Sequence, residues 1–209
     1  MNSKRSLVRR GAVVVTAGAA ALVLAACGSA DGGPTGHTGH SASPTAPAPS
    51  SAPQGRHNAA DVAFARGMVP HHRQAVDMAD LAPGRAHSAE VRKLAEEIKK
   101  AQGPEIETLS GWLASWGEDV PSPGAGDHSA HGMDGMMTGE EMATLEKASG
   151  TAFDTAFLKM MIKHHQGAVK MARTERADGS HAPARKMAGR IIDSQTAEIK
   201  KMNELLAKG

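Results

Sequence analysis

The chain has 209 residues, 40% of them hydrophobic but only 2% aromatic, with no tyrosine. That length holds one compact domain with extensions, and a core restricted to Ala, Leu, Ile, Val and Met favours close-packed helices over a sheet. A formal charge of +2 gives little support to a nucleic-acid surface, and the single cysteine, Cys27, excludes an internal disulfide.

Lys4, Arg5, Arg9 and Arg10 precede an apolar run of small residues over 11–26, too short for a comfortable transmembrane helix, which ends in Leu24-Ala25-Ala26-Cys27. This resembles a bacterial lipobox. Residues 1–26 are therefore expected to be a lipoprotein signal peptide, with Cys27 the lipidated first residue of an exported, membrane-anchored chain that faces outside the cytoplasm. The flanks of Arg9-Arg10 fit the twin-arginine pattern poorly. Removing the signal takes the basic and acidic residues from 24 against 22 to 20 against 22, a net of about −2. Residues 27–56, rich in Gly, Ser, Thr, Pro and Ala, cannot bury a core and read as a disordered tether, in which His37 and His40 are either solvated or weak metal captors.

Residues 57–209 form the folded part. From about His57 to Leu81, apolar residues recur at spacings of three and four, as an amphipathic helix requires, and Pro70 predicts a kink just before His71 and His72. Pro83-Gly84 is expected to end this helix. Ser88 can cap a second helix with an apolar stripe from Val91 to Trp116, bent at Gly103-Pro104. Gln102 lies on or beside that stripe. A buried glutamine wants partners, so it is expected to bond across the bundle or to hold a histidine ring, as is Gln195 in the fourth helix.

A Gly- and Pro-rich linker over 117–139 follows. It contains His128, His131, Met133 and Met136, spaced closely enough to wrap one ion; the alternative is a plain flexible connection. A short helix leads to Gly150, a third long helix spans about Phe153 to Arg176, and a fourth begins near His181.

The third and fourth helices repeat the first and second. Asp61 to Ala79 matches Asp154 to Ala172 at a constant offset of 93 residues, which continues through Gln102, Glu105 and Ile106 to Gln195, Glu198 and Ile199. The fold predicted is thus all-α, a bundle of four long helices built from two duplicated helical hairpins about a pseudo-twofold, with the His-His segments meeting inside it or at one end.

On a helix, Met68 neighbours His71 and His72, and Met161 neighbours His164 and His165; Met78 and Met171 extend the same face. Methionines at helical spacing also serve simply as core packing, and a histidine on an apolar face is usually a satisfied core residue. Thioether sulfur is soft and suits Cu(I), while imidazole accepts Cu(I), Cu(II), Zn(II) or Ni(II), so this donor set without thiolates points first to copper. Carboxylate-bridged di-iron chemistry fits poorly, because these helices carry no Glu-x-x-His.

The pattern Phe-x-x-x-Met-x-x-His-His-x-x-Ala-Val-x-Met-Ala at Phe64 to Ala79 and Phe157 to Ala172, with Gln-x-x-Glu-Ile at Gln102 and Gln195, resembles the domain of unknown function 305 family. The resemblance covers about His57 to Leu206. It implies a ferritin-like four-helix bundle, and members that are exported copper-binding proteins using Met and His. Carried over, the ligands fall on Met68, His71, His72 and Met78, and on Met161, His164, His165 and Met171. The function expected is extracytoplasmic copper sequestration or transfer without turnover, with Cu(I) favoured and other divalent metals as alternatives. A metal-dependent redox enzyme and a metal-free envelope interaction module are the competing readings.

Overall fold

The computed structural model describes residues 56–122 and 134–208. The signal peptide, Cys27, the tether and the loop residues His128, His131 and Met133 lie outside them. The elements are α1 (Ala59–Asp80), α2 (Ala82–Arg85), α3 (Ala89–Trp116), α4 (Gly139–Lys147), α5 (Gly150–Asp178) and α6 (Ala182–Leu206). Among the described residues the only extended pairing is an isolated bridge between Ala86 and Gly150, and no described helix is long and apolar enough to cross a membrane.

Local chemistry sets most of the boundaries. Asn58 caps α1 by accepting from the backbone of Ala60 and Asp61, while Asp61 accepts from the Asn58 N–H at 2.6 Å, a capping box. Ser88 caps α3, as expected, and Gly117 ends it with φ +76°, a left-handed conformation that glycine adopts without strain. Thr138 and Glu141 form a second capping box at α4. Neither proline divides its helix. α1 runs through Pro70 and α3 through Pro104, each lacking one backbone donor and leaving the carbonyl four residues earlier free. Pro83 and Gly84 do not form the end of α1; they sit in the single turn of α2, where proline at the first positions costs no hydrogen bond. The third long helix starts at Gly150, three residues before its expected start.

The core is two apolar clusters rather than one. The first joins the C-terminal half of α1 (Ala75, Met78, Ala79) to the N-terminal half of α5 (Phe153, Phe157, Leu158, Met161), with Leu94 and Ile98 of α3, Leu145 of α4 and Met202 of α6. The second joins the opposite halves, Phe64, Ala65, Met68 and Val69 of α1 with Ala168 and Ala172 of α5, beside Leu109, Leu113, Met187 and Ile191. α1 and α5 therefore cross antiparallel. Residues 71–72, 102–105, 164–165 and 195–198 all fall between the clusters in sequence. They place His, Gln and Glu from four helices in one polar layer across the bundle.

The repeats also cap each other. Asp61, fully buried, accepts from the backbone N–H of His181 at 2.9 Å and of Ser180 at 3.2 Å, at the start of α6. Asp154 accepts from the backbone N–H of His87 at 3.1 Å and of Ser88 at 2.8 Å, at the start of α3. These pairs are related by the same 93-residue offset as the sequence repeat, so the duplication extends to reciprocal contacts.

Candidate metal centre

The polar layer is centred on His71 and His164, whose ring centroids lie 3.7 Å apart with planes tilted by 41°. Both residues are fully buried, and none of their four ring nitrogens has a hydrogen-bond partner. Burial, reinforced by the neighbouring His72 and His165, pushes His71 down to about 3 and His164 well below the ordinary histidine range. Both rings are therefore neutral at physiological pH, each with one nitrogen lone pair free to bind a metal.

The other two histidines are held differently. His72 Nε2 lies 2.8 Å from Glu105 Oε2, and His165 Nε2 lies 2.6 Å from Glu198 Oε2, again one pair in each repeat. A carboxylate on one nitrogen fixes the ring and increases the basicity of the other. In both residues that other nitrogen, Nδ1, is buried and unpartnered. The glutamines do not take the role expected of them: Gln102 is 2% exposed with neither side-chain polar atom bonded, and the Gln195 Oε1 is likewise unpartnered. Each sits one turn before the glutamate that does hold a ring, which is why the apolar stripe suggested the glutamine and overlooked the glutamate. The half-buried edge of the layer suits a charged carboxylate, whereas the glutamines point deeper.

Met68 and Met161 are fully buried one turn before His71 and His164, one in each apolar cluster, and so flank the pair from opposite sides. Met78 and Met171 stand seven residues beyond the histidines, about 10 Å along the helix axis. Met78 is buried among the residues of the first cluster and Met171 is partly buried against the second. Of the linker residues, Met136 is described and half-buried, beside the buried Met137. Among the described residues, no three His, Cys, Asp or Glu side chains converge on a point that would hold a metal ion. Two imidazoles sharing one ion through in-plane bonds of about 2 Å, at the wide angles of tetrahedral or lower coordination, stand farther apart than these rings.

A second group of titratable residues closes the bundle beside Asp61. Burial, with the hydrogen bond and charge of Asp61, pushes Glu175 up to about 8, so that it is protonated at neutral pH. Burial raises Asp61, but the hydrogen bonds of His181, Asn58, Glu175 and Ser180 outweigh it and hold the carboxyl below its usual range. His181 sits edge-on to Trp112 and Trp116 at 5.1 and 5.2 Å. Sequence periodicity signalled none of this, since Asp61 and Glu175 lie on otherwise apolar faces.

The model of the domain of unknown function family DUF305 matches residues 61–206. A DUF305 protein of Streptomyces coelicolor, named as a candidate secreted protein, is 34% identical over 71% of this chain and 93% of its own, with a TM-score of 0.65. A DUF305 fragment from Deinococcus radiodurans is 30% identical over 73% and 98%, also with a TM-score of 0.65. CopM in its Cu(II)-bound form is 36% identical over 71% and 96%, with a TM-score of 0.62; it is also solved in Cu(I)-bound, Ag-bound and apo forms. No curated protein matches at a significant level. With its duplicated motif, its bundle and its polar layer all inside the matched span, the chain belongs to the DUF305 family.

Proposed function

We propose that this protein binds copper at the polar layer and sequesters it or hands it on outside the cytoplasm, without catalytic turnover. The observation that carries the reading is the contact of His71 with His164. Two neutral imidazoles, one from each repeat, are buried against each other with every ring nitrogen unpartnered. An unpaired buried polar group costs about 1–3 kcal/mol, and a ligand is one of the few physical reasons for keeping several together.

Neutral nitrogen and thioether sulfur in an apolar surround suit a soft monovalent ion, so Cu(I) is the favoured cargo. His71, His164, Met68 and Met161 form the inner donor set. His72 and His165, anchored by Glu105 and Glu198, stand ready to join through Nδ1. Met78 and Met171 extend the same helix faces beyond the pair, and His128, His131, Met133 and Met136 of the linker are the candidate second donor set. CopM, a relative 36% identical and similar in fold, is known in copper- and silver-bound forms, which supports the metal class. Export and anchoring through Cys27 rest on the basic, apolar and lipobox run at the N-terminus and on the candidate secreted relative.

The test is titration of the chain with Cu(I) under reducing conditions and Cu(II) under oxidising ones, beside a His71→Ala/His164→Ala variant. Saturable Cu(I) uptake lost in the variant is the expected result; equal uptake by both proteins would move the site to the linker. Oxygen or peroxide consumption by the copper-loaded protein would contradict the absence of turnover.

A further inference from the structure

His71 and His164 have no exposed surface, so an ion can reach them only if part of the protein moves. The moving part can be identified by how each covering segment is held. The helices are secured by their own backbone hydrogen bonds, whereas residues 134–138, which lead from the linker into α4, have no regular structure and are fastened by side chains. On the α1 side, Gln74, one turn beyond His71, grips the backbone of Met137 twice: its Nε2 donates to the carbonyl at 2.9 Å and its Oε1 accepts from the N–H at 2.7 Å. On the α5 side, Lys170 pairs with Asp134.

The close approach explains two glycines. Gly135 has φ +85° and its backbone lies against Lys163 and Gly167, which bracket His164 on α5. A Cβ on Gly167 would overlap the Asp134 carbonyl oxygen. The segment is thus pressed onto α5 at the level of His164, and the Asp134 backbone lies beside the His71 ring without a well-formed hydrogen bond to it. The buried Met137 side chain pins it into the cluster that contains Met161. Residues 134–138 form a strap across both histidines.

We propose that this strap is the door of the histidine pair: release of Met137 by Gln74 lifts residues 134–138 and admits a soft monovalent cation to His71 and His164. The proposal rests on the copper reading above, and adds the route by which the site is filled and emptied. Closure excludes water from the bound ion, and the latch sets the exchange rate without supplying a ligand.

The experiment follows Cu(I) transfer from a chromophoric chelator to the full chain by stopped flow, taking the component absent from His71→Ala/His164→Ala. Gln74→Ala removes both latch bonds. Gly167→Ala displaces the strap while favouring the α5 helix, since alanine is the better helix former. Gly111→Ala, in α3 with nothing within 4 Å of its Cβ, is the control. Losing two ordinary hydrogen bonds raises the open population roughly tenfold or more. Uptake and release should therefore both accelerate about tenfold in Gln74→Ala and Gly167→Ala, with affinity nearly unchanged and the Met137 amide exchanging faster with solvent. Unaltered transfer rates in both variants would overturn the door, whether or not Met137 exchange accelerates. A wild-type chain whose Cu(I) uptake is indifferent to His71→Ala/His164→Ala would instead overturn the copper reading, and the door with it.

Discussion

Replacing both members of the histidine pair by leucine should make the metal-free protein more stable. Each ring presents two buried nitrogens without partners, and relieving one unpaired polar group per ring is worth about 1–3 kcal/mol. Against this stands the lost ring contact, about 1 kcal/mol. Leucine is similar in volume, so the net gain for His71→Leu/His164→Leu is about 1–5 kcal/mol, or roughly 3–15 °C in Tm for a domain of this size. Acid sharpens the contrast. With the native value of His71 at about 3 against 6.5 when unfolded, the unfolded chain takes up a proton below pH 6.5 that the native ring refuses. Stability then falls by about 1.4 kcal/mol per pH unit for each such ring. His164 shifts in the same direction. The His71 ring alone should cost the wild-type chain about 1.5–2 kcal/mol between pH 6.5 and 5, with a further loss from His164 in the same direction, and the double variant should lose most of that slope. Urea unfolding followed by circular dichroism, with chelator present, at pH 7.5 and 5.0 reads both effects. A variant less stable than wild type at pH 7.5, or one with the same acid sensitivity, would refute the account of the pair as an unsatisfied, metal-ready element.

Three further outcomes follow from contacts around the layer. Glu105→Ala and Glu198→Ala each strand a buried His Nε2, so each should cost about 1–3 kcal/mol in the urea midpoint, by similar amounts because the two contacts are equivalent. Asp61→Ala removes the acceptor for the Asn58, Ser180 and His181 N–H groups and should cost at least about 3 kcal/mol, with hydrogen exchange accelerating first at the start of α6. Glu175, raised to about 8 from 4.5, holds a proton in the native state that the unfolded chain releases, so its contribution is lost as pH rises from 4.5 through about 8. Glu175→Gln, neutral throughout, should flatten that decline between pH 4.5 and about 8 in thermal melts.

Periodicity and repetition made the bundle readable. The constant offset forced two equivalent hairpins, and the capping residues Ser88 and Gly117 marked helix α3 at both ends through local chemistry alone. Both helices continue through their prolines, Pro70 lying between the buried Val69 and His71. The histidine pair stood out as sequence, but its ring-to-ring contact did not, since pairing of residues 71 and 164 depends on the crossing of α1 and α5. Glu105 and Glu198 were visible as repeated residues yet not as ring anchors: a carboxylate at the edge of an apolar stripe looks like ordinary surface until the neighbouring helix brings an imidazole to it. Asp61 and Asp154 escaped for a related reason. Their partners lie 119–120 and 66–67 residues away in sequence, far outside any helical spacing.

The exchange of aspartates bears on what the smallest folding unit is. Each hairpin carries the carboxylate that its counterpart needs to begin its second helix, and lacks the one it needs itself. A hairpin alone would leave both a buried acid and a helix start unmatched. A second identical hairpin, turned about the same axis, would satisfy both. The geometry is that of a symmetric dimer whose two polypeptides have been joined end to end. Once joined, the two sides were free to diverge while the shared layer stayed common to both, which accounts for proline at position 70 where the second repeat has Lys163.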